Sequence, residues 1–264
     1  MRGRGAGAGA GRGRGGGGRW PGSSMLLTVH SPAPRALVAL VALSVLAVVL
    51  QAGPVQAVAT PRLARSACPE TPMSSGGIPR SREYLTAVLK CLDKSWSAHF
   101  RRTGRTFHKP VVRYYDEPVR EVCGFAWPEH AAAFYCIGRD TLVLPLTGAW
   151  IEGRTDLYPF KVAAHEYGHH VQSLLGVRKG AQSRRYELQA DCLAGAFLGS
   201  VWPSLSRTRQ DWTALLDATR AAGDEGEEHS HGTGANRVRW LERGYRAVSP
   251  AACDTWSAPA SQVS

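Results

Sequence analysis

The stretch Val162-Ala163-Ala164-His165-Glu166-Tyr167-Gly168-His169-His170-Val171-Gln172, with Glu187-Leu188-Gln189-Ala190-Asp191 downstream, decides the reading of this 264-residue chain. His165 and His169 stand four positions apart, and four residues of α-helix advance only about 40° around the axis. Two imidazoles therefore project from one side of a helix and can chelate one metal ion. Glu166 lies one step around the same helix, where its carboxylate can reach a water on that ion without being a ligand itself. That spacing of residue types suits hydrolysis.

The flanking residues support a helix. Asp156 is a natural N-cap, Pro159 is tolerated in the first turn and Gly176 is a C-terminal stop, so 156–176 read as one amphipathic helix with the motif in its middle. A second helix begins near Ser183 and runs until Pro203 closes it. On it Glu187 and Asp191 are again four apart and share one face. Buried carboxylates need partners: a metal at Glu187 and an imidazole N–H at Asp191 would satisfy both, as would salt bridges to Arg184 or Arg185 on a solvated face. The first reading completes a ligand set of two histidines and one glutamate with Asp191 orienting a ligand histidine. It fails if Glu187 lies more than about 6 Å from both imidazoles, since the bonds to such an ion are roughly 2 Å long.

At these residues the chain resembles the neutral zinc metallopeptidases, zincins with a glutamate as third ligand. The resemblance is carried by His165 to Gln172, Glu187 to Gly195, His231-Gly232-Thr233, Arg237-Val238-Arg239-Trp240 and Cys253-Asp254-Thr255, together with Cys123-Gly124 and Phe134-Tyr135-Cys136. It implies a zincin-like α+β fold, mostly helical, with a small antiparallel-edged sheet beside the active-site helix. It also implies Zn2+ held by His165, His169 and Glu187, Glu166 as general base, and Asp191 behind a ligand histidine. His231, in the His-Gly-Thr block, is the candidate donor to the tetrahedral oxyanion, the other reading being a helix-capping histidine. The chain departs from the family pattern after Cys136, where Ile137-Gly138-Arg139-Asp140 replaces a proline-led turn. His170 points about 100° away from His169 and is read as a packing or supporting residue.

Upstream of the motif, residues 1–24 are Gly- and Arg-rich with no apolar periodicity and read as low complexity; a nucleic-acid-binding tail is the alternative to the preferred reading, in which Met25 is the expected start. Ala36 to Leu50 is an apolar stretch of 15 residues preceded by Arg35. A spanning helix needs about 20 such residues and a secretory core about 7 to 15, so this segment reads as a signal cleaved after Ala59 or as an uncleaved anchor. The chain is accordingly expected to be secreted, or membrane-anchored with its catalytic domain outside the cytoplasm. Residues 1–59 are thus leader, 60–80 a linker and 81–264 the enzymatic domain. Beyond Ala59 there are 26 basic and 21 acidic residues, a balance of +5 that fits anionic wall polymers or lipid headgroups and equally an ordinary solvated surface. No nucleic-acid motif is present.

All six cysteines follow the leader, and an even count in an oxidising compartment favours disulfides, with fifteen pairings open. The resemblance implies Cys123 with Cys136 and Cys192 with Cys253, which leaves Cys68 for Cys91. Helices are expected at 81–102, 208–221 and 235–247, the last behind a Thr233 cap, and strands at 110–115, 133–137 and 141–146. The acidic 223–232 segment reads as a solvated loop rather than a second metal site. The function these features imply is hydrolysis of a peptide or protein substrate by metal-activated water. The alternative is a catalytically silent, zinc-stabilised cell-surface binding protein. The oligomeric state is left open.

Overall fold

Helix α1, Gly77–Arg102, begins four residues before the expected Ser81, because Gly76 and Gly77 adopt positive φ (140° and 54°) and turn the chain into it. Tyr84, Leu85, Val88, Leu89, Leu92 and Trp96 are buried along it at helical spacing, as their periodicity requires. The computed structural model describes residues 61–264 apart from 74, 129–130, 181 and 225–230; the leader expected at 1–59 lies outside the described residues. The stretch read as a linker is packed onto the domain instead. Leu63 and Met73 are buried, the Leu63 N–H donates to the Val248 carbonyl at 2.8 Å, and Glu70 makes an enclosed ion pair with Arg207 at 2.7 Å. Its Pro and Ser content masked these contacts.

The sheet is small and mixed. β1 (Val111–Tyr115) pairs in parallel with β5 (Thr141–Pro145), from Val111 opposite Thr141 to Tyr115 opposite Pro145, and β4 (Phe134–Cys136) pairs antiparallel with the other side of β5. Every residue of β5 is buried, as a central strand covered on both faces demands. β4 forms the antiparallel edge. Between β1 and β4 a short hairpin, β2 (Glu121–Val122) with β3 (Phe125–Ala126), turns through Cys123 and Gly124, both at positive φ. Strands of two residues leave no alternation to read, so this hairpin was not anticipated.

Helix α2 spans Tyr158–Leu174 and α3 spans Ser183–Val201. Asp156 accepts from the Tyr158 N–H at 3.1 Å, the capping role expected of it, although Leu157 takes the N-cap position. The expected amphipathic character of the motif helix is corrected: every residue from Pro159 to Gln172 is buried. The sheet, α1 and α3 surround α2, and a helix enclosed on all sides has no solvent face to keep polar. Helices α4 (Arg209–Ala221) and α5 (Gly234–Ala247) complete the fold, capped by Thr208 and Thr233 side chains that accept from the Asp211 and Asn236 N–H groups. No helix among the described residues is long and apolar enough to cross a membrane.

Three disulfides form: Cys123–Cys136 and Cys192–Cys253, the pairings that the resemblance implies, and Cys68–Cys91, the pair they leave. The last joins positions 61 apart and fastens the C-terminal segment to α3. In the chain-entropy account such a closure is worth about 4 kcal/mol. Glycine sets how closely the helices approach. A Cβ on Gly195 of α3 would lie 2.0 Å from the Leu241 carbonyl oxygen, and one on Gly244 of α5 would lie 1.9 Å from that of Cys192. Backbone atoms cannot retreat cheaply, so Gly244→Ala should force α3 and α5 apart and cost at least about 3 kcal/mol. Gly138→Ala, with nothing near its Cβ position, should change stability by less than about 0.5 kcal/mol. Urea denaturation of the two variants beside the parent checks this.

Candidate metal centre

Close approach of α2 and α3 builds the site. A Cβ at Gly168 would come within 3.1 Å of the Ala190 carbonyl oxygen, so the glycine inside the motif allows these backbones nearly to touch. His165 and His169, on α2, then face Glu187 across the gap. His165 Nε2 is 3.3 Å from Glu187 Oε2 and His169 Nε2 is 3.0 Å from the same oxygen, with all three side chains buried.

The outer nitrogens of both rings are already committed. His165 Nδ1 donates to Asp191 Oδ1 at 2.8 Å and His169 Nδ1 donates to Gln172 Oε1 at 2.8 Å. The Gln172 amide cannot be reversed, because its NH2 group serves the Tyr186 carbonyl at 2.7 Å and Gln189 Oε1 at 2.9 Å. With their N–H groups spent on the far side, both neutral imidazoles aim lone pairs at a carboxylate oxygen. Three acceptors facing one another inside a protein require a positive charge between them. Donors about 2.0–2.1 Å from a common tetrahedral ion lie roughly 3.3 Å apart, so the donor set fits zinc in kind and in spacing. Without an ion, a proton can play this part. Burial disfavours a charged His169, yet the Glu187 carboxylate outweighs it and lifts the pKa to about 9. Burial likewise opposes charge on Glu187, but His169 and His165 hold its carboxyl well below the usual range.

Asp191 is completely buried beneath His165. Arg237 reaches it through Nε at 2.8 Å and Lys161 through Nζ at 2.5 Å. Burial opposes its charge, and Arg237 followed by Lys161 holds the carboxyl well below its usual value. Lys161, fully enclosed, is pushed down to about 8 by burial and by the neighbouring Arg237 charge. Glu187 Oε1 meets Lys179 at 2.7 Å. Arg185, the alternative partner weighed for these carboxylates, instead donates to carbonyls of the C-terminal segment at Thr255, Trp256 and Ala258.

Glu166 is buried and lines a cleft of about 760 Å³ together with His165, His169, Glu187 and His231. Burial raises its pKa, partly offset by the two histidines and reinforced by Glu187. His231 turns Nδ1 towards Asp224 Oδ2 at 3.3 Å and stands with Nε2 3.8 Å from Glu187 Oε2. It does not cap α5, which Thr233 does. His170 takes no part here. It leaves the far side of α2 towards Asp140 and the His108 carbonyl.

Sequence reasoning placed six side chains in one region and missed Lys161, Gln172, Lys179 and Arg237. Lys161 and Gln172 had a signal, being four residues before His165 and three after His169 on the same helix. Arg237 lay in the Arg-Val-Arg block without an assigned task.

Residues 2–256 match the family described as "Putative neutral zinc metallopeptidase", and the chain belongs to that family. Its cofactor is zinc, which the donor set accommodates. Among curated relatives, "Uncharacterized protein YpfJ" of Escherichia coli K12 is 28% identical over 66% of this chain and 71% of its own length. "Uncharacterized protein Rv2575" of Mycobacterium tuberculosis H37Rv is 38% identical over 58% of this chain and 64% of its own length. No solved structure matches the chain.

The raised pKa of His169 has a direct consequence for stability. A folded value of about 9 against about 6.5 unfolded contributes stability that is complete below pH 6.5 and is lost as pH rises through 9. Chelator-treated protein should therefore lose on the order of 3 kcal/mol between pH 6 and 9. Protein held at fixed free zinc should show the opposite trend, because ion binding requires deprotonated ligands. Urea midpoints of both forms across this window test the divergence.

Proposed function

We propose that this chain is an exported zinc metallopeptidase that hydrolyses peptide bonds with Glu166 as general base. One observation carries the reading: the two imidazole Nε2 atoms converge on Glu187 Oε2 at 3.3 and 3.0 Å in the same cleft that Glu166 lines. His165, His169 and Glu187 would hold the ion, with Asp191 orienting His165. Bound there, zinc supplies a Lewis acid for the scissile carbonyl and lowers the pKa of water to about 7.

Glu166 takes the proton from the attacking water and delivers it to the departing nitrogen. Its elevated pKa suits both transfers, because a base poised nearer neutrality gives the proton up again. His231 donates from Nε2 to the oxygen that gains charge as the carbonyl is attacked. Burial lowers its pKa in the free protein; a proton taken up from solvent with the substrate charges the ring, so that Nε2–H serves the oxyanion while Nδ1–H faces Asp224.

The substrate is an extended peptide. β4 pairs on one side with β5, and Phe134 and Tyr135 on it line the cleft, where an incoming strand can add by main-chain hydrogen bonds. Ala131, Ala132, Tyr158 and Ala222 form a wall shared with an adjoining cavity of about 1180 Å³ that also contains Trp127 and Trp150. This cavity has room for a bulky apolar side chain beside the scissile bond. Export is supported by the three disulfides, which persist in oxidising compartments. The basic balance beyond Ala59 favours residence near an anionic wall or membrane surface.

Glu166→Gln should bind zinc like the parent and lose about 10²- to 10⁴-fold in kcat on a peptide library, while phenanthroline abolishes parental turnover and added zinc restores it. Undiminished turnover in Glu166→Gln would remove the general base from the scheme. Turnover in neither protein would favour the silent binding protein. For His231→Ala, kcat should fall about 10²- to 10³-fold at unchanged zinc affinity. A comparable fall in affinity would make His231 a ligand instead of an oxyanion donor.

A further inference from the structure

Behind α2, on the side away from the cleft, lies a second set of donors. We infer that His108, Asp140 and His170 form a separate site for a divalent transition-metal ion of the zinc and cobalt class. His170 is wholly buried, with Nε2 2.8 Å from the His108 carbonyl oxygen. A carbonyl can only accept, so Nε2 carries a proton and Nδ1 is the nitrogen turned towards the carboxylate on the other side. His170 Nδ1 lies 2.7 Å from Asp140 Oδ1, and His108 Nδ1 lies 3.1 Å from Asp140 Oδ2. The arrangement in the cleft, two imidazole nitrogens turned to one carboxylate, is thus repeated with the roles of the ring nitrogens exchanged.

The surroundings are consistent with a built site. Asp140 closes the 3₁₀ turn Ile137–Arg139 in a left-handed conformation, φ 46° and ψ 41°, that delivers its carboxylate to His170. The Tyr135 hydroxyl donates to Asp140 Oδ1 at 2.5 Å and orients the carboxylate. Lys109, the cation next to His108, is occupied with Asp93 at 2.9 Å. The ligand atoms of the three residues all lie within 4.8 Å of one another. Donors about 2.1 Å from one tetrahedral ion are roughly 3.3 Å apart, near the 3.1 Å between His108 and Asp140 and reached at His170 by a small outward shift of the Asp140 carboxylate. His108 is exposed, so the remaining coordination positions open to water. Two imidazoles and one carboxylate select a borderline transition ion over calcium or magnesium. Such an ion would join the chain before β1, the β4–β5 turn and the helix residue adjoining His169. It would act as a clamp on α2 with no access to the cleft.

Isothermal titration of the chelator-stripped full chain with Zn2+ tests the assignment, with metal content measured by mass spectrometry after dialysis. The parent should take up two equivalents. His108→Ala, a change at an exposed side chain, should take up one, with affinity at the lost site weakened more than the roughly 100-fold that removal of an outer partner costs. His165→Ala/His169→Ala should retain the other equivalent, which separates failure of this site from failure of the cleft. One equivalent in the parent, or two undiminished in His108→Ala, overturns the inference and leaves His170 and Asp140 as a hydrogen-bonded pair alone.

Discussion

Two imidazole nitrogens aimed at one carboxylate oxygen, on buried side chains at the floor of a cleft, are the constraint from which this structure follows. Such a convergence is unstable by itself, and its compensation has to be a cation. The hydrogen bonds behind the rings prevent any easier escape. Asp191 and the Gln172 carbonyl oxygen accept from Nδ1 of His165 and His169, so neither ring can rotate to present an N–H to Glu187. The pocket is therefore selective for positive charge before any ion arrives. Its rigidity comes from side chains with no direct access to the ion.

Asp191 explains why so much charge is buried nearby. Alone beneath a ligand histidine, an aspartate could take the ring's proton and leave the imidazole anionic, or become protonated and lose its hold. Arg237 and Lys161 make both outcomes costly by stabilising the carboxylate form. The arrangement demands that α5 lie close against α3, since Arg237 must reach across, and Gly195 and Gly244 permit that approach. The Cys192–Cys253 bridge then holds the C-terminal segment against the same helix. Packing and electrostatics thus require each other: the glycines serve the ion pair, and the ion pair serves the metal ligands.

How much of this was legible in the sequence depended on distance along the chain. His165, Glu166 and His169 share a helix, and Glu187 and Asp191 share another, so helical periodicity alone assigned their faces. That α2 and α3 would meet was an inference from the need of buried carboxylates for partners. Lys161 and Arg237 escaped because nothing local distinguishes a buried cation from a surface one, and Arg237 is 46 positions from its partner. The enclosure of α2 escaped for a related reason. Its run from Val162 to Gln172 mixes apolar and ionisable residues, and periodicity treats ionisable residues as solvent-facing. Here they face other charges instead.

The same error of assignment makes His170 informative. On a half-exposed helix, a histidine about 100° from the ligand face would look towards water and need no explanation. On an enclosed helix it must find partners, and it finds Asp140 and the His108 carbonyl. Helix α2 therefore carries polar chemistry on two sides and apolar packing on the remainder, with Tyr167 joined to Asp93 at 2.7 Å on a third. A helix fixed at so many points has little freedom to rotate, and rotation is the motion that would spoil a ligand pair spaced four residues apart. Placing the His-Glu-x-x-His motif on the most enclosed of the described helices thus converts burial, which is costly for every ionisable group on it, into the positional accuracy that metal binding demands.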